Sequence, residues 1–100
     1  EAVYAGCKGA LIAFGKTLAR ELARHGVTVN TICPGPTDTP LLRGVDPTGK
    51  LQDALKKAIP MRRLGEPEDF PGMVAFFASE DADYITGQVV SISGGLTMHG

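Results

Sequence analysis

Between Val3 and Arg24 the apolar residues recur at helical spacing. Leu11, Gly15, Leu18 and Leu22 share one stripe, with Ile12, Ala19 and Ala23 beside it, while Lys16, Arg20 and Arg24 form a solvated row on another face. The pattern predicts a helix that Gly26 is placed to end, because glycine adopts the left-handed conformation of a helix terminus without strain. Val27 to Cys33 is then short, β-branched and bounded by Gly26 and Pro34-Gly35, which predicts a strand. A helix feeding straight into such a strand suggests a crossover onto a parallel sheet. Residues 36–65 are broken by proline and glycine around one short helical stretch, Lys50 to Ala58. So long a connection in a compact domain suggests a functional lid or a disordered segment. A further helix begins near Pro67, with Glu68 and Asp69 at its positive end and Phe70, Met73, Val74 and Phe77 as its buried stripe. Pro71 sits awkwardly there, removing one hydrogen bond in the first turns. Glu80 to Asp83 reads as an acidic turn, and Val89 to Ser93 as a second strand closed by Gly94-Gly95. The expected class is therefore α/β. Two strands and two helices do not finish a sheet, so the elements read as the back half of a larger unit.

Composition changes this picture little. The 100 residues are 43% apolar and 21% charged, as in a globular chain. Ten Lys and Arg against eleven Asp and Glu give a net charge of −1, which attracts neither nucleic acid nor an anionic membrane surface. No apolar run approaches the ~18 residues of a spanning helix, and the first residues do not resemble a signal peptide. Cys7 and Cys33 form no CxxC pair and, with His25 and His99, lack zinc-ligand spacing, so no metal site is expected. A soluble, reducing, cytoplasmic setting fits these features.

Candidate chemistry lies at the front of the chain. Tyr4 and Lys8 stand four residues apart and share a helix face, so a phenol and an ammonium can converge on one point. A cation beside a phenol favours the phenolate and makes it a usable acid or base near neutral pH. Pro34 and Gly35 fall at the carboxyl end of the predicted strand, where open parallel sheets bind ligands.

Taken in order, Tyr4-Ala-Gly-Cys-Lys8-Gly-Ala-Leu, Val29-Asn30-Thr-Ile-Cys-Pro34-Gly35-Pro-Thr-Asp-Thr39-Pro, Leu64-Gly65-Glu66-Pro67-Glu68-Asp69 and Tyr84-Ile-Thr-Gly87-Gln88-Val with Ser93-Gly94-Gly95 resemble the short-chain dehydrogenase/reductase family over essentially the whole chain. The resemblance implies that residues 1–100 are the C-terminal portion of one doubly wound, Rossmann-type domain that binds NAD or NADP. Its parts would be the active-site helix, the sixth strand, a substrate lid at about 36–65 and the last helix and strand. It implies hydride transfer between the nicotinamide and a hydroxyl/carbonyl pair, with Tyr4 as acid/base and Lys8 favouring its phenolate and binding the ribose hydroxyls. Pro34 and Gly35 would approach the nicotinamide ring, Thr37 and Thr39 its carboxamide and pyrophosphate side, and Leu41 and Leu42 the substrate. The family's glycine-rich phosphate loop, its active-site Ser and its Asn are expected upstream and are not in this sequence. Thr37 replaces a branched apolar residue and Ser93 a common Asp. Cys7, the Thr37-Asp38-Thr39 loop and the ending resemble members that oxidise 2-hydroxycyclohexanecarboxyl-CoA, with 3-oxoacyl carrier-protein reductases close beside them. A small-molecule, thioester-linked substrate and a homodimer or homotetramer are implied.

Plainer readings stand beside these. Tyr4 and Lys8 could be a surface helix pair, Thr39 a cap before Pro40, and Arg62-Arg63 a solvated pair rather than a phosphate contact. Cys7 and Cys33 read as small packed thiols, and His99 as part of a frayed tail. The chain by itself could also be a non-catalytic, self-associating α/β module, since the unpaired strand edge would need a partner.

Overall fold

The computed structural model describes residues 1–99. Helix α1 spans Ala2–Leu22 and tightens into a 3-10 turn, Ala23–His25, before Gly26 at φ 73° closes it as expected. Strand β1 (Thr31–Pro34) follows, then helices α2 (Pro40–Val45), α3 (Lys50–Ala58) and α4 (Pro71–Phe77), and strand β2 (Val89–Ile92). The strands pair in parallel, Thr31 against Val89 through Pro34 against Ile92. The class is therefore α/β with a parallel sheet, as the pattern predicts.

The helix lies close to the sheet because its inward face is small. Gly15 and Ala19 are its buried residues, and a methyl added at Gly15 would lie 3.0 Å from Thr31 Oγ1. Entry to the strands is fixed by side chains. Asn30 donates from Nδ2 to the Ile85 carbonyl and accepts the Gln88 amide, while Thr86 Oγ1 accepts the Val29 amide. These bonds occupy Val29 and Asn30 outside the ladder. The strand is correspondingly shorter than the predicted Val27–Cys33, and it includes Pro34 instead of stopping before it.

Two further boundaries differ, and one burial. The segment 36–65 carries two helices where one is expected, because Thr39 and Pro40 start α2 as N-cap and first residue. The helix foreseen near Pro67 divides into a 3-10 turn, Pro67–Asp69, and α4, which Pro71 opens at a position that needs no amide donor. On α4, Phe70, Met73 and Phe77 are half-buried, but Val74 is 54% exposed, since nothing among the described residues packs over it. No helix among them is long and apolar enough to cross a membrane.

Candidate functional site

Helix α1 presents Tyr4, Lys8, Leu11 and Ile12 to one side of β1, and Thr31 to Pro34 complete a groove of about 480 Å³. Tyr4 and Lys8 meet as their spacing predicts: Lys8 Nζ sits over the phenol ring, 5.5 Å from its centroid. That is within the ~6 Å range of a cation–π contact. Pro34 lies on the groove wall at the carboxyl end of β1. Its missing amide falls on the edge facing away from β2, since the amides of Thr31 and Gly35, on the alternate positions, donate to Gln88 and Ile92. The groove is open, with Tyr4 68% exposed.

Gly35 leaves the strand where two backbones nearly touch. A methyl there would lie 2.7 Å from Ser93 Cβ and 2.8 Å from Ser93 Cα. Thr37 and Thr39 do not line the groove. Thr37 Oγ1 donates to the Gly35 carbonyl at 2.8 Å, and Thr37 pairs with Gly65 in an isolated parallel bridge. Thr39 Oγ1 accepts the Leu42 amide at 3.2 Å, so the capping reading is the one observed. That bond uses an oxygen lone pair and leaves the Thr39 hydroxyl proton for another acceptor.

Of the other candidates, Cys33 lines the groove, while Cys7, Arg62, Arg63 and His99 fall outside it. Cys7 is exposed, contrary to a packed thiol, because the first turns of α1 carry no covering layer among the described residues; Cys33 is half-buried. Arg63 forms a two-pronged pair with Asp69, at 2.8 and 3.0 Å, so it is engaged within the chain. The Arg63 guanidinium, with the Glu66 amide also donating, pulls the Asp69 carboxyl down to about 2. Arg62 Nη1 donates to the Lys57 carbonyl. His99 is exposed.

One residue was not singled out from the sequence. Asp46, 8% exposed, ends α2 and accepts the Leu51 amide at 3.2 Å and the Gln52 amide at 2.9 Å, one on each carboxylate oxygen. The signal that could have found it is Asp46-Pro47-Thr48-Gly49, an Asp-Pro-x-Gly turn immediately before a helix.

A family model described as enoyl-(acyl carrier protein) reductase matches residues 1–97. The human (3R)-3-hydroxyacyl-CoA dehydrogenase is 46% identical over 95 residues, which are 95% of this chain and 36% of that protein. The solved 3-oxoacyl-[acyl-carrier protein] reductase of Brucella melitensis superposes with a TM-score of 0.88 at 38% identity, over 96% of this chain and 35% of that one. A blue fluorescent protein from a metagenomic library, solved in complex with NADPH, superposes at 0.86 with 35% identity, over 97% of this chain and 38% of that one. The chain thus spans little more than a third of the length of these proteins.

Proposed function

This chain belongs to the short-chain dehydrogenase/reductase family, and from that premise we propose that it carries the acid/base pair of an NAD(P)-dependent oxidoreductase, Tyr4 and Lys8. The observation that supports this most is the convergence of the phenol, the ammonium and Pro34 on one groove at the carboxyl end of a parallel strand. Ligands of open parallel sheets bind outside that end. A nicotinamide cofactor, when bound, supplies the hydride chemistry, and the donor set fits its ribose end: a cation and a hydroxyl acid on one wall, with Pro34 at the strand end on the other. Lys8 would hold the ribose hydroxyls, Pro34 and Gly35 the ring edge, and Thr37 and Thr39 the carboxamide side, the last through its free hydroxyl proton.

In the reducing direction Tyr4 gives its proton to the substrate oxygen, and in the oxidising direction its phenolate takes that proton. Lys8 stabilises the phenolate by its charge. Residues 36–65, tethered at both ends and crossing the strand ends, would form the lid. The names of the human and Brucella proteins favour a hydroxyacyl or oxoacyl thioester as substrate, and the family resemblance favours a homo-oligomer.

The test is Tyr4→Phe in the full-length protein, with turnover of a 3-oxoacyl thioester measured alongside calorimetric titration by NADH and NADPH. Turnover is expected to fall by about 10²–10⁴-fold, the ordinary worth of a positioned acid/base, with cofactor affinity retained. Turnover near that of the wild type would remove Tyr4 from this role.

A further inference from the structure

The segment between the two strand ends is anchored at both of its roots. At the first, the Gly65 amide donates to the Pro36 carbonyl at 2.9 Å and the Asp38 amide to the Gly65 carbonyl at 2.8 Å. At the second, Ile59 is buried, the Met61 amide donates to the Gly94 carbonyl at 3.0 Å, and Gly94 leaves no room for a side chain against Ile59. Between the roots, neither α2 nor α3 packs extensively on any other helix or strand among the described residues. Leu41 and Val45 on α2 and Leu51 on α3 are exposed apolar residues. Two short helices without a covering layer keep a fixed relation only if something joins them.

We propose that Asp46 is that joint, a positioning residue that makes α2 and α3 move as one body over the substrate. Its backbone ends α2, forced out of the helical region by Pro47. The Asp46 carbonyl accepts the Gly49 amide at 3.2 Å, closing the turn. Its two carboxylate oxygens take the Leu51 and Gln52 amides, otherwise unsatisfied in the first turn of α3. Asp46 is thus C-terminal cap to one helix and side-chain cap to the next. A neutral side chain of the same shape keeps one acceptor, and alanine keeps none. Because the lid's apolar residues lie on either side of this joint, loosening it spreads their positions without touching Tyr4 or Lys8.

This inference rests on the proposed reading of residues 36–65 as a substrate lid. Asp46→Ala and Asp46→Asn are made in the full-length protein. Amide exchange at Leu51 and Gln52, NADPH affinity, and kcat and KM for a long-chain and a short-chain 3-oxoacyl thioester are then measured. In the alanine variant exchange at the two amides is expected to rise about tenfold, as for a lost helix cap, while α1 amides keep their protection. KM is expected to rise about tenfold for the long-chain substrate and less for the short one, with kcat and NADPH affinity within about twofold and the asparagine variant between. Unchanged exchange, or a loss of kcat and NADPH affinity with KM constant, overturns the inference while leaving the proposed activity standing. Absence of turnover in the wild type overturns the proposed activity, and the lid role with it.

Discussion

A methyl group added at Gly94 would lie 2.7 Å from Ile59 Cγ2 and 3.4 Å from Met61 Cβ, and the residue holds φ at 64°. Both constraints act against any side chain, one by contact and one by backbone strain. Gly94→Ala is therefore expected to cost about 1–3 kcal/mol in denaturant unfolding of the full-length protein. A loss below about 0.5 kcal/mol, the range of inconsequential surface changes, would mean that the Ile59–Met61 stretch shifts away from the turn at little cost. At this scale the sequence was unevenly legible. Tyr4 and Lys8 could be paired from spacing alone, because four residues on a helix fix the geometry. Thr39 carried two readings; the cap forms, since a hydroxyl before Pro40 meets the amide three residues on, and its proton is left for another acceptor. Asp46 was signalled only by the Asp-Pro-x-Gly turn before a helix; what it does becomes visible once α3 forms and leaves the Leu51 and Gln52 amides for its carboxylate.

Helix α4 and the turn before it show what element boundaries depend on. Read as one periodic run from Pro67, they are two pieces, and Pro71 supplies the reason: it lacks the amide a helix interior needs but fits a first turn. The 3-10 turn is instead held by side chains. Asp69 accepts the Glu66 amide at 2.7 Å and grips Arg63, which joins the turn to the end of the 36–65 segment. These interactions hold the Asp69 carboxyl near 2, below the ordinary carboxylate range, with the Arg63 hydrogen bond the larger cause. A depressed value means that the clamp contributes fully above the unfolded carboxylate's titration near ~4 and is lost as pH falls from there toward 2. The carboxyl carbon shift of Asp69 is expected to titrate near 2 in the intact protein and higher in Arg63→Ala, yet still below an ordinary carboxylate because the Glu66 amide remains. An unaltered midpoint in that variant would assign the depression to the Glu66 amide. Since Arg63 is exposed and Asp69 half-exposed, added salt should bring the two midpoints closer. The strands were legible in type but not in extent, because Asn30 and Thr86 divert backbone groups that alternation alone would place in the ladder.

The molecule as a whole carries more open surface than its core can support. Among the described residues the buried apolar ones are Ala19, Ile59, Leu64 and Ala82, while Val3 is 81% and Phe14 63% exposed along α1. The Cα radius of gyration is 15.8 Å, against about 13 Å for a compact domain of this length, and the long dimension is 51 Å. Elongation and exposure coincide, because the first turns of α1 have no layer of the described residues beneath them. The sheet has two strands, and the far edge of β1, with the Ile32 amide, is unpaired among them. Parallel sheets are stable when both faces and both neighbours are covered, and a two-stranded one is marginal alone. The fold class was legible here because helix-into-strand succession constrains topology strongly. Apolar residues at helical spacing, by contrast, show which face seeks cover and not what provides it. Expressed as these 100 residues, the chain is therefore expected either to self-associate or to lose structure on dilution, and to leave NADPH unbound. Sedimentation and circular dichroism across about 1–100 μM separate the cases, since association makes apparent stability concentration-dependent. A monomer with a cooperative melt that does not shift with concentration would show that the α1 face tolerates water and would remove the case for a covering partner. A melt that strengthens with concentration would show that copies of this chain can cover one another, and the self-associating reading would then hold for the isolated chain without bearing on the acid/base role proposed for Tyr4 and Lys8.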